Sequence, residues 1–372
     1  MSAPDFSALG LLDGLDGAAR AARAALLESL HADGVPVEEL QAAVAEGRLA
    51  LLPAELALGG VGRMTAREVA AEAGVELDAL EAVRRASGLS LPPPDVAVLG
   101  ELDLFGARAL ATFLDGGLPL DGLIEASRIF GEAAARAAAA AGTLANTTIP
   151  REGDTEQEYA LRLATATREL TPYAAELLSV LYVLHNRENL RQEIVRAEEI
   201  SSGRRSDVHE VTIGFCDVVG FTRLGEGVPA ADLGTIATRL AALAADLANP
   251  TVRLVKTIGD AAMFAAPEPE PLLDVALGLM EAAEREGEQF PALHAGVAHG
   301  PAVRRWGDYY GGTVNLAARL TERARAGALI TDGAARERAG DEAFAWSEAG
   351  LKKLKGFSEP TPVWRCRRGR VT

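Results

Sequence analysis

The sequence predicts a two-part chain, an all-helical first half followed by an α/β half in which helices pack on one sheet. Three observations predict it. Residues 1–205 are rich in Ala, Leu, Glu and Arg, with apolar residues recurring at spacings of three and four, the period of a helix face. From Val208 onward, short β-branched runs alternate with helical stretches of matching length, the pattern of helices layered on a sheet. The three tryptophans, Trp306, Trp346 and Trp364, all lie in this second half.

In chain order, helical patterns cover Ala18–Leu30, Glu38–Ala45, Ala66–Ala73, Leu77–Ala86 and Leu102–Leu114. Thr65 with Glu68 three residues on has the capping-box spacing, and Gly74 supplies the turn into the next helix. This helix–turn–helix look is common in small helical domains and reads as packing. Pro92-Pro93-Pro94 is a rigid break between helical subdomains. Ala133–Ala141, nearly all alanine, predicts a close-packed helix, and Asn146–Asp154 a polar loop. From Pro172 a helical pattern runs to Ile200, apolar over Leu177–Leu184 and then mostly charged. In the charged part only Leu190, Ile194 and Ala197 form a stripe, which suits a helix that packs on a partner or connects two domains. Ser201-Ser202-Gly203 ends the pattern and sets a domain boundary near 200–208.

Beyond it, Val208–Phe215 reads as a strand and Ala230–Leu247 as a helix. Arg253–Thr257 and Ala261–Ala265 form a hairpin through Gly259. Leu272–Arg285 is a helix, Ala292–Ala298 a strand and Gly311–Arg325 a helix. Strands follow near Ala328–Thr331, Phe344–Glu348 and Pro362–Cys366.

Composition and charge exclude several classes. The net charge is −16, and residues 1–205 carry 18 basic against 31 acidic residues. Nucleic-acid binding draws on basic side chains that neutralise phosphates, so so acidic a half is a poor DNA reader. No basic residue precedes the short apolar stretch of Met1–Gly17, so it does not read as a signal peptide. No apolar run is long enough to predict a membrane span. Cys216 and Cys366, far apart in sequence, predict free buried thiols and a cytoplasmic protein. Arginine is the default cation, with only four lysines (Lys256, Lys352, Lys353 and Lys355), so the isolated Lys256 marks a place that needs a compact ammonium.

Three segments carry chemistry. Phe215-Cys216-Asp217-Val218-Val219-Gly220-Phe221-Thr222 puts an acid at the end of an apolar strand, where a carboxylate is costly unless paired or bound to a cation. Lys256-Thr257-Ile258-Gly259-Asp260 puts a second acid on a hairpin turn, and two such carboxylates can hold a pair of Mg²⁺ ions. In Gly307-Asp308-Tyr309-Tyr310-Gly311-Gly312-Thr313-Val314-Asn315-Leu316-Ala317-Ala318-Arg319, Asn315 and Arg319 share one helix face. Leu316 and Leu320 lie beside them on the core-facing stripe, which points the polar pair into a groove. No Walker-type P-loop occurs.

Together with the closing Leu354-Lys355-Gly356-Phe357-Ser358-Glu359-Pro360, these segments resemble the class III nucleotidyl cyclases over residues 205–368, in the family's order. The resemblance implies a ferredoxin-like sheet and an adenylate cyclase that works as a head-to-tail homodimer with two Mg²⁺ or Mn²⁺ ions per site. It implies that Asp217 and Asp260 bind the metals and that Lys256 and Asp308 read adenine. Asn315 would orient the ribose, Arg319 would stabilise the transition state, and Lys355 would touch the triphosphate. Lys256 and Asp260 would serve opposite sites of the dimer. Taken whole, the chain resembles soluble actinobacterial cyclases in which a helical N-terminal domain restrains the catalytic one and activity rises at acidic pH. The implied layout is a helical regulatory domain over 1–170, a helical transducer over 171–205 and a catalytic domain over 206–372.

The chemistry agrees with these roles. Adenine offers an acceptor at N1 and a donor at its 6-amino group, which suit Lys256 and Asp308, whereas guanine reverses both. A guanylate cyclase is the nearest rival among enzymes. A catalytically silent sensor using the same fold is the rival outside them, and loss of a metal aspartate or Arg319 would be its mark. For the first half two regulators are expected. The segment His185–His209 is expected to sense protons as a bistable connector, because histidines flank its thin apolar stripe. An apolar pocket for a lipid-like ligand is the second expectation, from the Ala/Leu-rich composition.

Overall fold

The computed structural model describes residues 4–60, 62–200, 208–221, 230–287 and 290–369, with the side chains of 191–200 and 230–231 left out. The chain divides into two compact units, Met1–Glu198 and Glu199–Thr372.

The first unit is helical throughout: α1 (Gly17–Ala32), α2 (Val37–Ala45), α3 (Leu52–Gly59), α4 (Ala66–Ala73), α5 (Leu77–Ala86), α6 (Glu101–Asp115), α7 (Leu120–Thr148) and α8 (Glu156–Ile200). Thr65 caps α4 as its spacing predicts: its hydroxyl accepts from Glu68 N at 3.2 Å, and Glu68 accepts from Thr65 N at 2.8 Å. Gly74 then closes the helix at φ 73, a left-handed turn that favours glycine. Two small cores result. Leu26, Leu27, Leu30, Leu40 and Leu49 centre the first, which Ala160 of α8 joins, and Val69, Leu99, Leu104 and Ala107 centre the second. A bidentate Arg23–Glu156 pair at 2.7 and 2.9 Å ties α1 to the start of α8.

The long helices depart from the expectation. Among its described residues α7 buries none, so Ala133–Ala141 is an exposed helix and not a close-packed one. Alanine specifies helix there without specifying a neighbour. α7 also runs to Thr148, into the segment expected to be a loop. α8 starts at Glu156, well before Pro172, and carries that proline within it, so residue 170 falls inside one continuous helix. A capping box at Thr155 and Glu158 starts it, with Thr155 N donating to Glu158 at 2.9 Å. The connector expected over His185–His209 includes residues 201–207, which lie outside the described residues, as do the side chains of Ile194 and Ala197.

The second unit contains β1 (Val208–Val218), α9 (Ala230–Leu247), β2 (Arg253–Ile258), β3 (Ala261–Ala266), α10 (Pro269–Arg285), β4 (Leu293–Arg305), β5 (Asp308–Tyr310), α11 (Gly312–Arg323), β6 (Leu329–Thr331), α12 (Gly333–Ala339), β7 (Phe344–Lys352) and β8 (Thr361–Arg368). The sheet order is β2-β3-β1-β4-β6-β8-β7, with β5 hairpinned onto β4. Within it the β1-α9-β2-β3-α10-β4 segment, with every pair antiparallel, has the ferredoxin-like arrangement.

Helices cover both faces. Residues of β1 alternate between two cores: Cys216 and Val218 join α9 and α10, while Val211 and Ile213 join α11. Both cysteines are buried and unpaired, and burial pushes each thiol up to about 12. No described helix is long and apolar enough to cross a membrane.

Candidate active site

Strand alternation puts Asp217 on the same face as Val211 and Ile213, the face that α11 covers. Asp260 sits in the β2–β3 turn, after Gly259 at φ 58. Val218 N donates to Asp260 O at 3.1 Å, which ties that turn to the end of β1. The two carboxylates therefore lie close enough for the charge of Asp217 to act on Asp260. Burial, and after it the Asp217 charge, hold the Asp260 carboxyl above the usual carboxylate range. Asp217 Oδ1 is buried without a hydrogen-bond partner. Its other oxygen is 3.5 Å from His294 Nε2.

His294 is the β4 residue directly opposite Asp217 in the sheet register, and the motifs gave no sign of it. Its Nδ1 lies 3.0 Å from the Ala324 carbonyl oxygen, which can only accept, so Nδ1 carries the hydrogen. The Asp217 contact raises the His294 pKa.

Lys256 on β2 and Asp308 on β5 form an ion pair, with the lysine side chain 39% and the aspartate 23% exposed. Asp308 Oδ1 also accepts from Tyr309 N at 2.8 Å, which fixes the carboxylate's second oxygen. Arg253, three residues before Lys256, donates from Nη2 to Gly307 O at 3.3 Å, a contact that sequence reading missed because it depends on how β5 returns over the sheet.

Asn315 and Arg319 lie on α11. Its start is pinned by Thr313 Oγ1, which donates to Pro301 O at 2.8 Å. Leu320 is buried and Leu316 packs on the same core. Asn315 is exposed in the single chain, so the expected groove wall over it is absent from this one copy. Arg319 pairs with Glu322 one turn along its own helix. Lys355 is exposed beside the buried Leu354. No hydrogen bond or ion pair among the described residues joins Asp217 or Asp260 to Lys256, Asp308, Asn315 or Arg319. The chain thus carries two separate polar sets.

The residues fit a divalent cation in part. A buried carboxylate oxygen without a partner, and an Asp260 carboxyl held up by burial and by the Asp217 charge, are both relieved by a cation between them. Among the described residues no three His, Cys, Asp or Glu side chains gather into one site. Such an ion would draw its remaining ligands from water and substrate oxygens, as Mg²⁺ does in phosphate chemistry.

The family described as the adenylate cyclase regulatory domain matches residues 4–190, and the adenylate and guanylate cyclase catalytic domain matches residues 204–364. The chain belongs to the class III adenylate cyclases. It is 37% identical to a pH-sensitive adenylate cyclase of Mycobacterium tuberculosis, covering 99% of this chain and 93% of that one. It is 33% identical to an adenylate cyclase of Streptomyces griseus, over 77% of this chain and 71% of the other. A solved catalytic core of a rhodopsin-guanylyl cyclase with converted specificity, in complex with ATPalphaS, matches at 22% identity and a TM-score of 0.38, over 44% of this chain and 99% of that one. In this cyclase the carboxylate pair, the Lys256–Asp308 pair and α11 all belong to the catalytic unit.

Proposed function

We propose that this adenylate cyclase converts ATP to 3′,5′-cyclic AMP and pyrophosphate at sites shared between two copies of the chain. The observation that carries the proposal is the separation of the two polar sets. Asp217 and Asp260 lie together with an unpartnered buried oxygen, Lys256 and Asp308 lie together elsewhere, and no polar contact joins them. Two chains placed head to tail complete both sites, and each then holds one set from each copy. The exposed Asn315 would gain its covering wall in the same way. A further feature supports assembly: the α8 run Leu177–Leu184 is apolar yet exposed, with Leu177 at 58% and Leu184 at 53%.

Asp217 and Asp260 would hold two Mg²⁺ or Mn²⁺ ions. When bound, those ions lower the pKa of the ribose 3′-hydroxyl and neutralise charge on the phosphates. Lys256 donates to adenine N1 and Asp308 accepts from the 6-amino group. Asn315 orients the ribose, so that the hydroxyl meets the α-phosphorus in line with departing pyrophosphate. Arg319, freed from Glu322, faces the equatorial oxygens where charge develops, and Lys355 meets the triphosphate.

Cyclic nucleotide production from ATP and GTP, each with Mg²⁺ or Mn²⁺, tests the reading. Cyclic AMP is expected, with GTP poorer by about 10²-fold or more because it leaves both base-reading groups unpaired. Asp217→Asn is expected to lower kcat by about 10³-fold. No product from ATP with either metal leaves the silent-sensor reading standing.

Two regulatory proposals concern the helical unit. It restrains the catalytic unit, and the His185–His209 segment relays a proton signal. Replacing both histidines with Gln should flatten the pH–activity curve, and an unmoved curve rejects the relay. The second rests on a cavity of about 450 Å³, lined by Leu26, Leu30, Leu56, Leu161 and Arg168 among others. Ser29 and Asp33 share the lining with Arg168, so the cavity mixes apolar and polar side chains and suits an amphipathic, lipid-like ligand. Mass spectrometry of the purified chain that finds no bound hydrophobe counts against it.

A further inference from the structure

The sheet order separates β2 from β4 by two strands, yet Asp308 of β5, hairpinned onto β4, meets Lys256 of β2. The β4–β5 hairpin therefore folds back over the sheet, on the side where Tyr309 is buried in the α11 core. Its turn is demanding. Trp306 at φ 54 and Gly307 at φ 81 both occupy the left-handed region, and Trp306 is the one non-glycine residue to do so among the described residues. That conformation is costly for an aromatic residue, and such outliers persist only where surrounding contacts enforce them.

The enforcing contacts come from β2, which is irregular at this point. Arg253 pairs with Ala265 and Leu254 with Phe264, but Lys256 pairs with Met263, so Val255 is an extra residue in the strand. Residues three apart in a regular strand point to opposite faces. The bulge cancels that, and puts Arg253 and Lys256 on the face of Ala265 and Met263, which belong to the α11 core. From there Arg253 Nη2 donates to Gly307 O at 3.3 Å while Lys256 binds Asp308. Two cations of one strand grip consecutive residues of one turn. Arg253 is half-buried, and its Nη1 is buried with no protein partner. A guanidinium kept there at that cost serves something other than packing.

We infer that Arg253 is a positioning residue for base selection: it holds the Trp306–Gly307 turn so that the Asp308 carboxylate stays where the 6-amino group of adenine needs an acceptor. The inference rests on the reading of Lys256 and Asp308 as the base-reading pair.

The test is the ratio of kcat/KM for ATP to that for GTP in the full chain. Arg253→Met keeps the bulk and removes the donors. It should cut the ratio about tenfold, through a raised KM for ATP, with kcat at saturating ATP within about threefold of wild type. Where the Met variant does not fold, as tryptophan fluorescence would show, Arg253→Lys takes its place. It should lose the same discrimination, because a lysine ammonium ends where the guanidinium carbon lies, one bond short of the nitrogen that reaches the Gly307 carbonyl. Adding Trp306→Asn creates an Asn-Gly turn that favours this conformation by itself, and should restore the ratio. Asp308→Asn and Lys256→Met are measured alongside. If they leave the ratio unchanged, the base-reading assignment fails and the inference with it. If they collapse the ratio and Arg253→Met does not, or Trp306→Asn restores nothing, the role of Arg253 alone is overturned.

Discussion

At Gly296 the helix that carries Asn315 and Arg319 lies directly on strand β4. A Cβ at this position would sit 2.2 Å from Thr321 N and 2.6 Å from Ala317 O, both backbone atoms of α11. No side chain can swing aside to make room, so the helix must move. Gly296→Ala is expected to destabilise the catalytic unit by about 1–3 kcal/mol, the usual cost of overpacking. A displacement of about 1 Å can cost about 10²-fold in rate, so kcat should fall further than stability alone explains. Urea unfolding followed by tryptophan fluorescence reports this unit, because all three tryptophans lie in it. Unchanged stability and rate would mean that the helix tolerates the shift. Asp332 makes a second case at the same scale. It caps α12, accepting from Ala335 N at 3.0 Å and from His299 N at 3.4 Å, yet burial pushes its carboxyl up to about 6. A carboxyl raised above its unfolded value binds its proton more tightly in the folded state. Its contribution is therefore fully present below about pH 4 and lost as pH rises through 6. Asp332→Asn keeps the acceptor and removes the charge. Relative to wild type it should gain about 2–3 kcal/mol between pH 4 and pH 7, and a difference that stays constant with pH would refute the burial argument.

Among the elements, α4 is held by signals that were legible and can be tested singly. Its capping box closes through two bonds, so Thr65→Ala should raise hydrogen exchange at Glu68 and its neighbours roughly fivefold, and no change would show the cap to be idle. Local signals of this kind predicted α4, α5 and the β2–β3 hairpin, because capping and turn chemistry act over three or four residues. They do not reach further. Ala133–Ala141 specified a helix but not its neighbour, and the described part of α7 buries nothing. Pro172 looked like a helix start because proline suits the first turn, but Thr155 and Glu158 start α8 earlier. Among the candidate site residues, Asp217 and Asp260 stood out because each sits at a strand end or turn, and Lys256 because lysine is rare in this chain, whereas Asp308 came only with the resemblance. His294 and Arg253 were not legible. The first meets Asp217 only through the β1–β4 register, and the second shares a face with Lys256 only because Val255 is bulged out. Register and bulges are set by pairing between distant segments, and a single strand's pattern of alternation does not contain them.

At the scale of the whole molecule, the helical unit taken by itself exposes a large apolar surface. Part of that surface lies on α8, where Leu177–Leu184 is exposed on every side. A helix that is apolar all round belongs in an interior, so a second copy is the natural cover, and light scattering should give about twice the 38.9 kDa of one chain. Assembly and restraint then become separable. If the helical unit holds the catalytic units in an unproductive pairing, residues 206–372 alone should form cyclic AMP faster than the full chain, by roughly 5–150-fold for a coupling of ordinary size. The two chains should also differ in how they answer to acid. A restraint that protons release makes the full chain accelerate between pH 8 and pH 6, while the short chain, lacking the helices, keeps a flat or falling profile. The gap between them should therefore close as pH falls. A short chain that is no faster at any pH would mean that the helical unit assembles the enzyme without restraining it. A short chain that is inactive and monomeric would show that α8 supplies the pairing on which both sites depend.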